Sequence, residues 1–279
     1  MRTLKNHTIL FDAECPMCNV YTKAFVRSGM LDSKEGRKAY QQAGENCKNV
    51  DMQRAVNEIA LINGNTGEVT YGVKSLFKVL ANSFPLLEPV FRFRPFSWLM
   101  EKLYAFISYN RRVIIPGNTQ IAASEWQPSF RLHYRLIFLL FTGLMSAAIL
   151  SHYTPLLYPL LPRGSSYREY LVCFGQIAVQ GIIATIFFPK KVWNYLGNMM
   201  TISFVGALLL LPVIIASEWI FLMPQFALIY FMFIVSLMLL EHVRRTRILG
   251  INWALTISWI IYRIVILLII FKSAGYALF

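Results

Sequence analysis

The spacing of hydrophobic and polar positions changes character along the chain. Thr8-Ile-Leu-Phe11 is a short, unbroken apolar run, which predicts a buried strand. After the polar stretch Asp12-Ala-Glu-Cys-Pro-Met-Cys18, apolar residues across 19–27 recur at helical spacing, and Gly29 supplies a stop. Residues 37–43 predict a second strand and residues 51–57 a short helix. Glu58-Ile-Ala-Leu-Ile62, Asn63-Gly-Asn-Thr-Gly67 and Glu68-Val-Thr-Tyr71 read as two strands joined by an Asn/Gly turn. Past Gly72, Val73, Leu76, Phe77, Val79 and Leu80 make the apolar stripe of an amphipathic helix over 73–83. A strand, helix, strand, hairpin, helix order fits a small mixed α/β sheet.

Residues 84–133 follow neither period so clearly. Phe91-Arg-Phe-Arg-Pro95 and the run 98–109 interleave aromatic and basic residues, which suits either a helix lying on a membrane surface or more of the same soluble core. Pro116-Gly-Asn-Thr and Pro128 mark 116–133 as a linker. From Tyr134 onward the apolar runs lengthen to five candidate spans, at 134–154, 170–188, 198–217, 219–240 and 250–271. Each is near the roughly 20 residues that cross a bilayer as a helix. Pro212 and Pro224 interrupt the third and fourth, which predicts kinked helices flanking a tight turn at Glu218; merging two runs would give four spans. The expected organisation is an α/β domain over 1–115, a linker over 116–133 and an all-α transmembrane bundle over 134–279.

Composition agrees with that division. The 279 residues are 56% hydrophobic and 15% charged, with a mean hydropathy of +0.50, against about 25% charged in ordinary soluble domains. Residues 1–133 hold 17 Lys+Arg and 11 Asp+Glu, and residues 134–279 hold 10 and 3. The net charge of +13 therefore sits partly between apolar runs, where it sets topology rather than binding nucleic acid. Arg131 and Arg135, Lys190 and Lys191, and Arg244, Arg245 and Arg247 fall on one side, against Arg163, Arg168 and Lys272 on the other. The expectation is a multi-pass protein with its N-terminal domain in the cytosol and its C-terminus across the membrane. Asp12 and Glu14 follow the first apolar run too soon for a cleavable signal peptide.

Cysteines stand at 15, 18, 47 and 173, and only the first two are close. In a cytosolic domain such a pair points to catalysis or metal binding rather than a structural disulfide. Cys15-Pro-Met-Cys18 lies at a predicted strand-to-helix junction. A helix N-terminus stabilises a thiolate at Cys15, and Cys18, one turn on, is placed to resolve a mixed disulfide. Asp12 either caps this turn or accepts a proton from the resolving thiol. Zinc would need two more ligands, for which the soluble part offers Cys47, His7 and His133 without a second close pair. No cofactor or metal is expected.

Thr8-Ile-Leu-Phe-Asp12 followed by Glu14-Cys-Pro-Met-Cys18 resembles the opening of the DCC family of thiol-disulfide oxidoreductases, whose usual form is a strand, Asp-Gly-x-Cys-x-x-Cys and a helix. The resemblance continues at Tyr71-Gly72 with the helix after it, and at Leu103-Tyr104 and Tyr109-Asn-Arg111, covering residues 7–115. It implies a thioredoxin-like fold, with Cys15 as nucleophile and Cys18 as resolving thiol. Ala13 stands where the family usually has Gly, and no Pro precedes residues 59–62, where thioredoxins place a cis-proline.

Cys47 reads as incidental, and Cys173 has no neighbouring thiol with which to relay electrons. In the spans, Arg263 falls near the middle of the last and should face the bundle interior, with Gln176, Gln180, Gln225 and Tyr262 as partners. That cluster is either a polar pocket for a quinone, lipid head group or small solute, or an interhelical hydrogen-bond network. Trp193, Trp219 and Trp253 fit the membrane interfaces. The expected function is membrane-anchored reduction or exchange of disulfides, with a disulfide-containing protein or small thiol as substrate. The alternative is a transporter or lipid-interacting protein whose CxxC domain senses redox state or docks a partner.

Overall fold

The computed structural model of the chain describes residues 2–42, 49–117, 127–165 and 167–273. They fall into two compact units, Met1–Tyr134 and Arg135–Phe279.

The first unit is built on a four-stranded sheet of order β2-β1-β3-β4, formed by β1 (His7–Phe11), β2 (Arg37–Ala39), β3 (Ala60–Asn63) and β4 (Val69–Tyr71). β1 runs parallel to β2, with Ile9 opposite Arg37, and antiparallel to β3, with Ile9 opposite Leu61; β3 and β4 form the hairpin. Ile9, Leu10 and Phe11 are all buried, which is why this strand reads as a continuous apolar run rather than an alternation. Ile9 and Leu61 face one layer, joined by Leu31, Ile59 and Val79, while Leu10 and Ala60 face the other with Ala55. In the hairpin turn, Asn63 Oδ1 accepts the Asn65 N–H at 2.9 Å, and Gly67 adopts φ +69°, a conformation open to glycine without strain.

Helix α1 (Pro16–Arg27) follows β1 and ends at Ser28, with Gly29 at φ +73° turning the chain back. Helix α2 (Met52–Asn57) starts at Asp51, whose side chain accepts the Arg54 N–H at 2.9 Å as an N-cap. Helices α3 (Val73–Ser83), α4 (Glu88–Arg92) and α5 (Arg94–Ile114) complete the unit. The strand expected over 37–43 is shorter than its pattern. After Ala39 the chain enters a 3-10 turn, Tyr40–Gln42, which sends Gln41 back toward the β1–α1 loop. Ala43 lies outside the described residues. The aromatic and basic run in α5 serves two faces. Tyr104, Ser108 and Arg111 turn inward, while Trp98, Leu99, Leu103 and Ile107 are exposed. Residues 127–130 also join this unit, where Ser129 N–H donates to Asn57 Oδ1 at 2.7 Å.

The second unit holds five helices long and apolar enough to cross a bilayer: α6 (Leu132–Tyr153, extended by a 3-10 turn to Leu157), α7 (Arg168–Phe187), α8 (Val192–Ser217), α9 (Pro224–Ile248) and α10 (Ala254–Ser273). Ile186, Ile229, Leu240 and Ile261 are exposed on them, an arrangement suited to lipid rather than water. α8 is the most enclosed; Gly206 brings it so close to α9 that a Cβ would collide with Met238. Three boundaries differ from the hydropathy pattern by five residues or more, one of them the end of α9 at Ile248, eight residues beyond 240. α8 starts six residues early, because Asn198, which interrupts the apolar run, is buried as an acceptor for Arg245 at 3.1 Å. Pro224 does not interrupt the fourth span but opens it, since a proline at the first helical position has no N–H to lose; Trp219–Met223 then belongs to the turn. Pro212 does lie inside α8.

Candidate functional site

The site begins with the backbone of Cys15, which is extended at φ −93° and ψ 108° and occupies the N-cap of α1, with Pro16 at the first helical position. Its own Sγ accepts the Cys18 N–H at 3.4 Å, so sulfur takes the place of the usual hydroxyl or carboxylate cap. The positive end of the helix thus points at this atom. Cys18 follows one turn later, and Thr22 Oγ1 donates to its carbonyl at 2.7 Å. Ala13 does not adopt positive φ, so the loop needs no glycine there.

Asp12 lies at the end of β1 and is not the cap of α1. Its Oδ1 accepts the Glu14 N–H at 3.0 Å, closing the loop, and Gln41 Nε2–H at 3.0 Å. Its Oδ2 accepts from Arg111 Nη2 at 2.9 Å, with Arg112 Nη2 at 3.7 Å. Arg111 is itself buried, and its fork also donates to the Val56 carbonyl at 2.7 Å and the Asn57 carbonyl at 3.2 Å. Its Nε has no hydrogen-bond partner among the described residues. A guanidinium anchored by three backbone or carboxylate oxygens cannot swing away, so its charge is a fixed feature beside the sulfurs.

The electrostatics separate the two thiols. Cys15 is lowered from about 9 to about 7, chiefly by the hydrogen bond from the Cys18 thiol; burial opposes this, and Arg111 and the Cys18 N–H assist it. Cys18 is pushed up, first because its proton is held by Cys15 and then by burial. Burial works against the Arg111 charge, but the negative potential of Cys15 and Asp12 outweighs it and keeps the guanidinium protonated. Tyr21 packs against the two cysteines, and burial keeps its hydroxyl protonated.

The structure therefore brings together Asp12, Cys15 and Cys18, and adds Arg111, Gln41 and Tyr21. The signal for Arg111 lay in its spacing: Tyr104, Ser108 and Arg111 follow at i, i+4 and i+7 on the inward face of α5. Cys47 lies outside the described residues. Among those described, no three His, Cys, Asp or Glu side chains gather as metal ligands. His7 binds the Lys5 carbonyl, and His133 packs on Tyr134. In the second unit Gln176 meets Arg263, whereas Gln180 pairs with Tyr195 and Tyr262 donates to the Val172 carbonyl.

Both sulfurs are covered, Cys15 being 2% exposed, with Phe11, Ala39 and Met17 packed around the pair. The backbone at Gly117 lies so close to the Glu14 carbonyl, next to Cys15, that a Cβ at 117 would collide with it. Gly117→Ala is thus expected to force this strand of chain off the loop, because a backbone oxygen cannot yield as a flexible side chain can. Alkylation of native Cys15 by iodoacetamide, followed by mass spectrometry, should become several-fold faster; an unchanged rate would mean that the segment does not shield the sulfur. Compared with protein-family models, curated proteins and solved structures, the chain matches none.

Proposed function

We propose that the protein is a membrane-anchored thiol-disulfide oxidoreductase whose N-terminal unit is a thioredoxin-like domain of DCC type. A β1-α1-β2 unit, a β3-β4 hairpin and a closing helix, with CxxC at the N-terminus of α1, support that fold. The observation that carries the chemistry is the placement of Cys15 Sγ at the N-cap of α1, where it accepts the Cys18 N–H at 3.4 Å; Cys15 is lowered to about 7 and Cys18 is pushed up. An attacking thiol is most effective when its pKa is near ambient pH, and thiolates in CxxC motifs range over about 3.5–7.5.

Cys15 thiolate attacks a substrate disulfide, forming the Cys15–substrate bond and expelling the other substrate sulfur as thiolate. Attack removes the charge on Cys15, and with it the chief reason that Cys18 holds its proton. Arg111 then favours the Cys18 thiolate, whose proton passes to the expelled sulfur or to water. Cys18 attacks Cys15, the second substrate sulfur leaves, and the pair ends oxidised with the substrate reduced. A dithiol reductant must restore it. Asp12 acts by fixing Arg111 rather than by taking the proton, since both its oxygens are occupied. The basic clusters flanking the spans support a cytosolic position for this unit, where a dithiol stays reduced.

The test is thiol exchange by the purified full-length protein. Cys15→Ser should abolish it, and Cys18→Ser should accumulate a mixed disulfide stable to non-reducing electrophoresis. Exchange that survives Cys15→Ser would end the proposal.

A further inference from the structure

The second unit contains a cavity of about 60 Å³ that receives side chains from all five spans, including Ser146 of α6, Cys173 and Gln176 of α7, Met200 of α8, Phe231 of α9 and Arg263 of α10. Arg263 is the tenth of twenty residues in its helix, so its charge lies at mid-depth. Placing a cation there is costly unless something compensates it. The guanidinium lies over the Trp259 ring at 4.0 Å, and its Nη2 reaches Gln176 Oε1 at 3.4 Å, a long contact. No carboxylate among the described residues pairs with it. The second unit has three acidic residues: Glu169 binds Arg168 at 2.7 Å, Glu241 binds Arg244 and Arg245, and Glu218 lies in the turn after α8.

Three residues that line this cavity carry a buried polar atom with no partner among the described residues: Arg263 Nε, Gln176 Nε2 and Ser146 Oγ. Because Gln176 turns its oxygen to the guanidinium, its amide hydrogens are left over. An arginine, an amide N–H and a hydroxyl offer donors and one positive charge, and they ask for an acceptor with one negative charge. The planar guanidinium fork matches a carboxylate, and the volume equals about two waters, room for that group but not for a bulky head. Leu150, Leu210 and Phe231 supply apolar wall beside it.

We propose that this cavity binds a carboxylate as the counter-ion of Arg263, delivered either by a fatty acid from the bilayer or by a small acid from water. The proposal is independent of the thiol chemistry. The probes are oleate, acetate and oleyl alcohol, added to the purified full-length protein in detergent while its thermal unfolding is followed. Oleate should raise Tm and oleyl alcohol should not; a rise with acetate as well assigns the aqueous source, and its absence the bilayer. In Arg263→Gln, oleate affinity should fall at least about tenfold, the scale of a lost charge-assisted pair. Equal effects of oleate on the wild type and Arg263→Gln, an equal effect of oleyl alcohol, or no effect of either acid would overturn the proposal, the last leaving water in the cavity. Should Arg263→Gln fail to fold, [1-¹³C]oleate on the wild type decides: a carboxyl carbon that stays ionised below the pH at which micellar oleate protonates supports the site, and one that titrates with the micelles overturns it.

Discussion

Arg111→Met is expected to destabilise the N-terminal unit by about 3–5 kcal/mol, the cost of removing one partner from a buried ion pair. The side chains of Arg111 and Asp12 are 5% and 1% exposed, so water cannot take over the solvation of the carboxylate left behind. Arg112, already 3.7 Å from the same oxygen but 40% exposed, can approach and holds the loss toward the lower end. The Val56 and Asn57 carbonyls lose donors as well. Hydrogen exchange at Ile9, Leu10 and Leu61 in the purified protein measures the opening free energy of this sheet directly. Arg111→Lys separates two contributions. An ammonium keeps positive charge beside the sulfurs but cannot span Asp12 and both carbonyls, so exchange should quicken with little change in the Cys15 titration. Unchanged protection in Arg111→Met would show that the pair does not hold the site together.

How far the sequence leads can be judged from individual elements. β1, α1, the hairpin and α3 follow from local signals: an apolar run, a helical stripe, Asn63 and Gly67 in a turn, and Gly29 as a stop. The cysteines were legible for the same reason, because the motif and the helix that positions it are contiguous. Arg111 was not legible as a partner of Asp12, since the two are 99 positions apart and are joined only when α5 packs against the sheet. Nor could spacing show that Cys15 itself fills the N-cap, because Asp12 is as good a capping residue and only the backbone angles decide. In the spans, hydropathy located five helices but misplaced the start of α8, both ends of α9 and the start of α10. There a buried Asn198 and a helix-initiating Pro224 override the average. Arg263 was expected to face inward; that no carboxylate among the described residues pairs with it needed the packing of all five helices.

Cys15 is expected to react with iodoacetamide along a pH profile with its midpoint near 7, and Cys18→Ala should move that midpoint upward by at least about one pH unit, a tenfold change in thiolate at a fixed pH well below both midpoints and about fivefold at pH 7. The sign follows from the reactive form. Below the midpoint the sulfur carries its proton and is inert; above it the thiolate attacks, so a lowered pKa extends reactivity toward acid. At pH 7 the wild type is about half thiolate, roughly fifty times the fraction of a thiol titrating near 9. A less basic sulfur is also a weaker nucleophile, by about six- to tenfold over this interval, so the net gain at pH 7 is about five- to eightfold. Cys18→Ala keeps the backbone N–H that caps Cys15 but deletes the thiol that contributes most to the lowering. If the profile of Cys18→Ala coincides with that of the wild type, the helix terminus and Arg111 alone set the acidity of Cys15. If both profiles have their midpoint near 9, Cys15 is an ordinary buried thiol, and the asymmetry on which the exchange mechanism rests does not exist.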